Sequence, residues 1–454
     1  DDPGVRQARS FARGLVFGIC EPTFGYAAQM GLRLGGLVPS LPGQVAFVEN
    51  QVREFGLWDR FITNGVQADE GDTAKDYGAA MKKFTELDKQ AHKMIIAYVL
   101  AKFESEERKA PVSRRRLIEG GIFEFLHRVR VTDIKPPVFH ELMARHGAEL
   151  NRWVLDKVTG KVDSLGGDFA VNFSRYLTDP EYSALEKKIL RAAHYLATNW
   201  EFQIIYRLNS HILGVEEIKN RIENELEEHS DLAGVQKINL SVKTRHFIDL
   251  VGQLRFQQRW AQSPRVPETS VMGHMLIVAM LAYFCSLEAE ACEARLCNNF
   301  FAGLFHDLPE VLTRDIISPV KSSVAGLDDL IKEIENRQLA EKLFPLLPSG
   351  WHREIKYYVE DEFANKVMVD GKIVKVAAGE IGASYNEDRF SPVDGELIKA
   401  CDHLAAYIEA TLSMAYGITS RHLRDGAQTL YAKYEDRKVA GVDFGQLFDY
   451  FRDT

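Results

Sequence analysis

Five cysteines in 454 residues, Cys20, Cys285, Cys292, Cys297 and Cys401, include no C-x-x-C pair. Their odd number and apolar helical surroundings exclude a disulfide framework or a cysteine-rich zinc site, and read as buried thiols in a reducing compartment. Glycine is present, but no G-x-G-x-x-G or P-loop pattern is, so dinucleotide-binding and ATP-hydrolysing sites of those kinds are unsupported. Positive charge is short, with 56 basic against 65 acidic side chains and a net charge of -9. Nucleic acid is therefore not expected as a partner, and a small anionic substrate would need a local basic spot. No uninterrupted apolar run reaches the roughly 18 residues of a membrane span. The nearest, Leu15 to Cys20, is stopped by Glu21 and Pro22. The chain opens on Asp1-Asp2-Pro3 rather than Met, which is compatible with trimming or with a removed leader. The cytoplasm is the default location.

What remains is ordinary soluble-protein composition, 46% hydrophobic and 27% charged, long enough for two or three domains. One stretch organises it: FAGLFHDLPEVLTRDIISPVK, residues 301–321. It sets His306-Asp307 among Leu304, Phe305 and Leu308, and a charged pair in such apolar text is costly to bury unless a partner such as a metal holds it. Adjacent helical positions point about 100° apart. Both side chains thus reach one ion only near a helix end or with ligands from other helices. His274 opens the apolar run HMLIVAMLAYF, hydrophobic all round and hence a buried helix, and Asp402 sits in a third helix, GELIKACDHLAAYIEATL.

The order His274, His306-Asp307, Asp402 resembles the HD-domain phosphohydrolase superfamily. HDLPEVLTRDIISPVK further resembles the signature of the HD-domain 5′-deoxynucleotidases, and Arg259-Trp260, fifteen residues before His274, matches the Arg-Trp that those enzymes place ahead of their first histidine. The likeness runs from about Phe247 to Tyr450. Where the family often has an acidic residue before that histidine, this chain has Gly273. The resemblance implies that His274, His306, Asp307 and Asp402 hold one divalent metal ion, with Mn, Co, Fe, Ni, Zn or Mg left open. Mixed N and O ligands suit such an ion better than a thiolate site would. Glu310, three residues after Asp307, would orient or deprotonate the metal's water, and Asp315 would take part in proton transfer or else cap a turn. Arg259 offers a forked donor to a phosphate. Trp260 would face a base or merely pack, and Lys321 adds positive charge or lies on the surface. The implied reaction is hydrolysis of nucleotide phosphomonoesters, deoxynucleoside 5′-monophosphates first. The alternatives are a triphosphohydrolase, a cyclic-nucleotide or alarmone hydrolase, and a nucleotide sensor without turnover. A two-iron oxygenase would need ligands that the sequence does not offer.

The chain also repeats itself. Residues 121–138 share 8 of 18 positions with residues 303–320 at an offset of 182, and the same offset carries His274 onto His92. LRAAHYLATNWE, from Leu190, matches IKACDHLAAYIE, from Ile398, at an offset of 208. The larger offset leaves room in the second copy for an insertion, and FANKVMVDGKIVKV reads as a hairpin turning at Asp370-Gly371. The expected architecture is all-α: two consecutive HD-type bundles with a small β-hairpin in the second. The divisions are an N-terminal extension (1–60, helical near Val45 to Trp58), a degenerate domain (61–235) and a catalytic domain (236–454). In the first copy the His-Asp pair becomes Glu124-Phe125, Glu310 becomes Arg128 and Asp402 becomes His194. That copy reads as catalytically dead, or as a different metal set made of His92, Glu124 and His194. The two copies are expected to pair as an intrachain pseudo-dimer, a higher oligomer remaining open. Ser113 to Arg116 reads as a solvated basic face, Asp231 to Ser241 as the linker, and Val242 to Trp260 as the helix opening the second copy.

Overall fold

The computed structural model describes residues 85–131, 134, 136–211, 213–261, 263–314 and 326–452. The readings for residues 1–60, Asp315 and Lys321 lie outside them.

The described chain is helical almost throughout. The first half runs α1 (Glu86–Glu107), α2 (Arg114–Val131), α3 (Pro136–Val162), α4 (Phe169–Thr178), α5 (Ala184–Asn209), α6 (Val215–Glu227) and α7 (Ala233–Leu240). The second runs α8 (Val242–Gly252), α9 (Val271–Glu288), α10 (Glu293–Phe305), α11 (Glu310–Thr313), α12 (Leu327–Gln338), α13 (His352–Val359), α14 (Gly395–Ala415), α15 (Arg421–Tyr434) and α16 (Phe444–Arg452). A hairpin of β1 (Lys366–Val369) and β2 (Lys372–Lys375) stands between α13 and α14. Its turn is at Asp370-Gly371, both with positive φ, as an Asp-Gly pair between short β-branched runs dictates. A smaller hairpin, β3 (Lys438–Val439) with β4 (Val442–Asp443), precedes α16.

Two helices buried along most of their length, α1 and α9, make the centre. Every residue from Val271 to Ser286 in α9 is buried, as its all-round hydrophobicity requires. Helix α9 packs on α10 and α14, α1 packs on α5 and α7, and α1 and α9 lie against each other. Ser270 caps α9 by accepting from Gly273 N at 3.0 Å, and its hydroxyl donates to Asp88 of α1 at 2.6 Å. Gly273 explains itself here, since a Cβ at that position would stand 2.6 Å from Asp88 Oδ1. The second contact layer is aromatic. Tyr98 of α1 meets Phe301 and Phe305 of α10 at 5.0 and 5.2 Å between centroids, and Phe103 meets Trp351 at 4.7 Å.

Four sequence expectations need correction. The segment 231–241 is no linker: it contains α7, whose Ala233, Gly234, Val235 and Ile238 are buried against α1, with Gly234 so close that a Cβ would stand 2.9 Å from Leu100 Cα. Residues 242–260 do not form one helix. Helix α8 ends at Gly252, a 3-10 turn covers Gln253–Phe256, and Trp260 takes a positive φ of 56°. The basic run 113–116 is no solvated face, because Arg114 donates to Glu354 across the two halves and Arg115 to Glu119 at 3.0 Å. The most apolar stretch is not Leu15 to Cys20 but α9, 18 residues long and apolar enough to cross a membrane, yet 89% buried by protein.

Candidate active site

The site forms where three helices end or face one point. Helix α10 stops at Phe305, so His306 and Asp307 fall in the turn before α11. That helix end lets neighbouring residues aim at one place. His306 Nδ1–H donates to Gly303 O at 2.7 Å, which fixes the ring and leaves Nε2 facing Asp307 Oδ2 at 3.2 Å. From the first turn of α9, His274 Nε2 lies 2.9 Å from Asp402 Oδ1 of α14, and the two histidine rings stand 5.6 Å apart. Arg295 of α10 bonds Asp394, just before α14, at 2.8 Å through Nε, and Asp394 N donates to Asn299 Oδ1 at 2.8 Å. This buried clamp sets Asp402 relative to the His306-Asp307 turn.

One donor atom each from His274, His306 and Asp402 lie within 4.8 Å of one another. Ligands on opposite sides of an ion stand about 4.2 Å apart, twice a typical metal–N/O distance of roughly 2.1 Å, so small side-chain adjustments suffice. Two imidazoles and a carboxylate, with Asp307 beside them, fit a divalent first-row ion. Asp307 and Asp402 remain partly open, with side chains 17% and 19% exposed, whereas both histidines are buried. Burial lowers the His306 pKa, but Asp307 and then Asp402 outweigh it and raise the imidazole to about 9. Burial likewise opposes ionisation of Asp307, yet His306 and Arg259 hold it down at about 2.

Glu310 opens α11 as a buried carboxylate, 6% exposed, with its backbone N bonded to Asp307 O at 3.0 Å. Arg259 Nη1 approaches Asp307 Oδ2 at 3.9 Å, so the guanidinium belongs to the site. Trp260 faces inward: its indole N–H donates at 2.9 Å to Glu409, a fully buried carboxylate of α14.

Sequence reading missed Glu409. It also accepts from Thr269 Oγ1 at 2.7 Å and stands 3.5 Å from His274 Nδ1, two turns along α14 from Asp402. Burial pushes its carboxyl up, but Arg265, His274 and Arg259 hold it well below the usual range. A carboxylate behind a metal-facing histidine fixes the tautomer and ring orientation. A signal was available, since the 208-residue offset pairs Glu409 with Glu201.

The first-half residues His92, Glu124 and His194 do not make a second centre. Glu124 takes the buried Lys93 ammonium on one oxygen and the Tyr176 hydroxyl, at 2.6 Å, on the other. His92 Nε2–H donates to Ile248 O at 3.2 Å, while burial and then Lys89 and Lys93 hold His194 well below its usual pKa. An ammonium stands where a cation would be wanted, and further cations face His194, an environment that opposes a metal ion.

Residues 251–431 match the HD domain family model. A 5′-deoxynucleotidase of Pasteurella multocida is 22% identical over 187 residues, 39% of this chain and 78% of that protein. One from Erwinia tasmaniensis is 25% identical over 215 residues, 46% of this chain and 89% of its own length. The 5′-deoxynucleotidase YfbR of Shigella flexneri is 26% identical over 187 residues, 39% of this chain and 76% of that protein. No solved structure matches.

Proposed function

We propose that the chain is a metal-dependent HD-domain phosphohydrolase, the HD domain match covering residues 251–431, and that it hydrolyses nucleoside 5′-monophosphates, deoxy forms first. The observation that carries the reading is the convergence of His274, His306 and Asp402, with Asp307 adjoining, at the partly open end of α10. The relatives' names as 5′-deoxynucleotidases support the monoester as the scissile bond.

These four residues would hold the ion, which when bound lowers the pKa of water and polarises a phosphoryl oxygen. Arg259 presents its guanidinium to the phosphate beside Asp307. Glu310 takes the proton of the attacking water, its burial keeping the carboxylate from competing solvent. Glu409 and Trp260 act one step back, holding the His274 ring. Asp315 is assigned to proton transfer toward the leaving nucleoside and Lys321 to the phosphate, both on their sequence positions.

Phosphate release from a nucleotide panel with Mn, Co and Mg, before and after chelation, tests this. Orthophosphate from 5′-monophosphates, abolished by chelation, is the expected result; tripolyphosphate from triphosphates would move the chain to another reaction. Glu310→Ala should retain metal and lose roughly 10²- to 10⁴-fold in kcat, the contribution of a positioned acid or base. Near-normal turnover in that variant would make Glu310 a structural carboxylate.

The first half is best read as a degenerate copy paired with the catalytic one. Supporting this, Asp88 and Ser270 occupy equivalent positions at the 182-residue offset and bond each other, and α1 with α9, like α2 with α10, are equivalent helices in contact. Residues at equivalent positions meet where a two-fold axis passes. A cytoplasmic location accords with the free cysteines Cys285, Cys292, Cys297 and Cys401.

A further inference from the structure

Beside the metal-facing carboxylates, the surface changes sign. Lys399 lies three residues before Asp402 on α14 and His403 one residue after it, so both flank that side chain. Lys433 ends α15, and Arg437 follows it. Lys399, Lys433 and Arg437 are exposed, and none makes an ion pair with a described residue. They do so in a chain of net charge -9, in which cations such as Lys89, Lys102, Arg114 and Arg295 pair with Glu201, Glu354 and Asp394.

The three are gathered by rings. Lys399 Nζ sits 5.5 Å from the Phe363 ring centroid, and Phe363 stands 6.2 Å from His306. Tyr434 bonds His403 Nδ1 through its hydroxyl at 2.8 Å and carries the Arg437 guanidinium at 5.6 Å on its ring. Burial and then Lys399 and Arg437 push the Lys433 ammonium down, with Asp402 opposing, as expected of cations that face one another beside the site. Glu396 acts on Tyr434 from this flank, and the exposed Glu435 and Asp436 precede Arg437 in sequence. Cations that face one another without a salt bridge cost free energy, and a bound anion relieves it.

We propose that Lys399, Lys433 and Arg437 form a subsite for a second phosphate of the substrate, so that nucleotides carrying a phosphate beyond the scissile one bind in preference to plain 5′-monophosphates. The Phe363 ring touches both Lys399 and His306, which sets Lys399 on the outer side of that ring from the ion's ligands. A phosphoryl group on the metal meets Arg259, and the rim meets what lies farther along the same molecule. The second phosphate comes either from a 5′-polyphosphate tail or from a 3′-phosphate, two sources of the same dianionic chemistry.

This rests on the nucleotide reading above but not on turnover. Binding is measured by calorimetry on the full, metal-loaded chain, using a deoxyadenosine 5′-phosphonate whose P–C bond resists hydrolysis. The same compound with a 3′-phosphate, and its methylene-linked diphosphonate, supply the two sources. At least about tenfold tighter binding of one of the doubly charged ligands is expected, and Lys433→Ala/Arg437→Ala should abolish most of that advantage. Equal affinity for all three ligands, or an advantage that survives the double substitution, overturns the subsite. Hydrolysis of the plain 5′-monophosphate, assayed on the same sample, reports on the phosphomonoesterase reading separately.

Discussion

Glu409 has no exposed surface and four neighbours of high polarity, Trp260, Thr269, Arg265 and His274. A carboxylate so placed stays ionised and acts through the histidine it faces. Glu409→Gln should therefore lower metal affinity by about 10- to 100-fold while the fold persists, read by metal titration alongside circular dichroism. Unchanged affinity would leave it a purely structural residue. The histidines themselves couple metal to protons. With the His306 pKa raised to about 9 by Asp307 and Asp402 against burial, the metal-free chain carries an imidazolium at neutral pH. An ion needs the neutral ring, so loading at pH 7 should release close to one proton from this residue. Affinity should rise with pH up to about 9 and gain nothing further from it above that. In the metal-free fold the same shift stabilises below the ordinary histidine pKa, and that contribution is lost as pH rises through about 9. Calorimetry in two buffers of different ionisation enthalpy measures the release directly. At this scale the histidines and Asp402 were legible, because each sits in apolar helical text where a polar residue needs a reason. For Glu409 the repeat offered a match to Glu201 but no role, because its role comes from partners in residues 260–274, far from it in sequence.

Among the elements, α9 and the β1–β2 hairpin could be read locally, one from its unbroken hydrophobicity and the other from Asp370-Gly371. Helix α7 could not. Its short sequence AGVQKINL carries too few apolar residues to announce a helix, and it is held by α1, with Glu104 accepting from Ala233 N. Nor could the end of α8 be read, since the backbone of Arg259 and of Gln257 bonds the loop before α9 instead of continuing a helix. The junction between hairpin and α14 is the tightest joint near the site. A Cβ on Gly395 would stand 2.3 to 2.4 Å from backbone atoms of Phe363 and Ala364, and Lys366 pairs with Val393 by reciprocal backbone bonds of 2.9 and 2.8 Å. Backbone does not yield as a flexible side chain does. Gly395→Ala should cost at least about 1–3 kcal/mol, the range for overpacking, and disturb Phe363 and Asp402 together. Thermal unfolding with and without metal checks it: a variant as stable as the parent, with parental metal affinity, would show that the joint is slack.

At the scale of the molecule, the pairing proposed above predicts more than a shared fold: if the halves are copies related by a two-fold axis, equivalent helices should meet. The face that α1 and α2 present to the catalytic half carries Tyr98 against Phe301 and Phe305, Phe103 against Trp351, and Phe169 of α4 against Phe284. Buried polar groups tie the same face: Tyr283 O–H donates to Glu119 at 2.8 Å, and Glu354 accepts from Lys102 at 2.8 Å. Stripping the first half away would expose α9, the most apolar helix described, to water. Burying a large apolar side chain is worth roughly 1.5–3 kcal/mol, so losing the cover of several aromatic rings at once is comparable with the margin by which a domain is stable, about 5–15 kcal/mol. Asp307 and His306 would loosen as well, because Phe305, the residue before them, loses Tyr98. Residues 242–454 expressed alone should thus aggregate or remain partly unfolded and show little metal-dependent hydrolysis, whereas the full chain carrying Glu124→Gln should keep both its metal content and its activity. A soluble, stable and fully active 242–454 fragment would make the first half an independent appendage and not half of the folded unit.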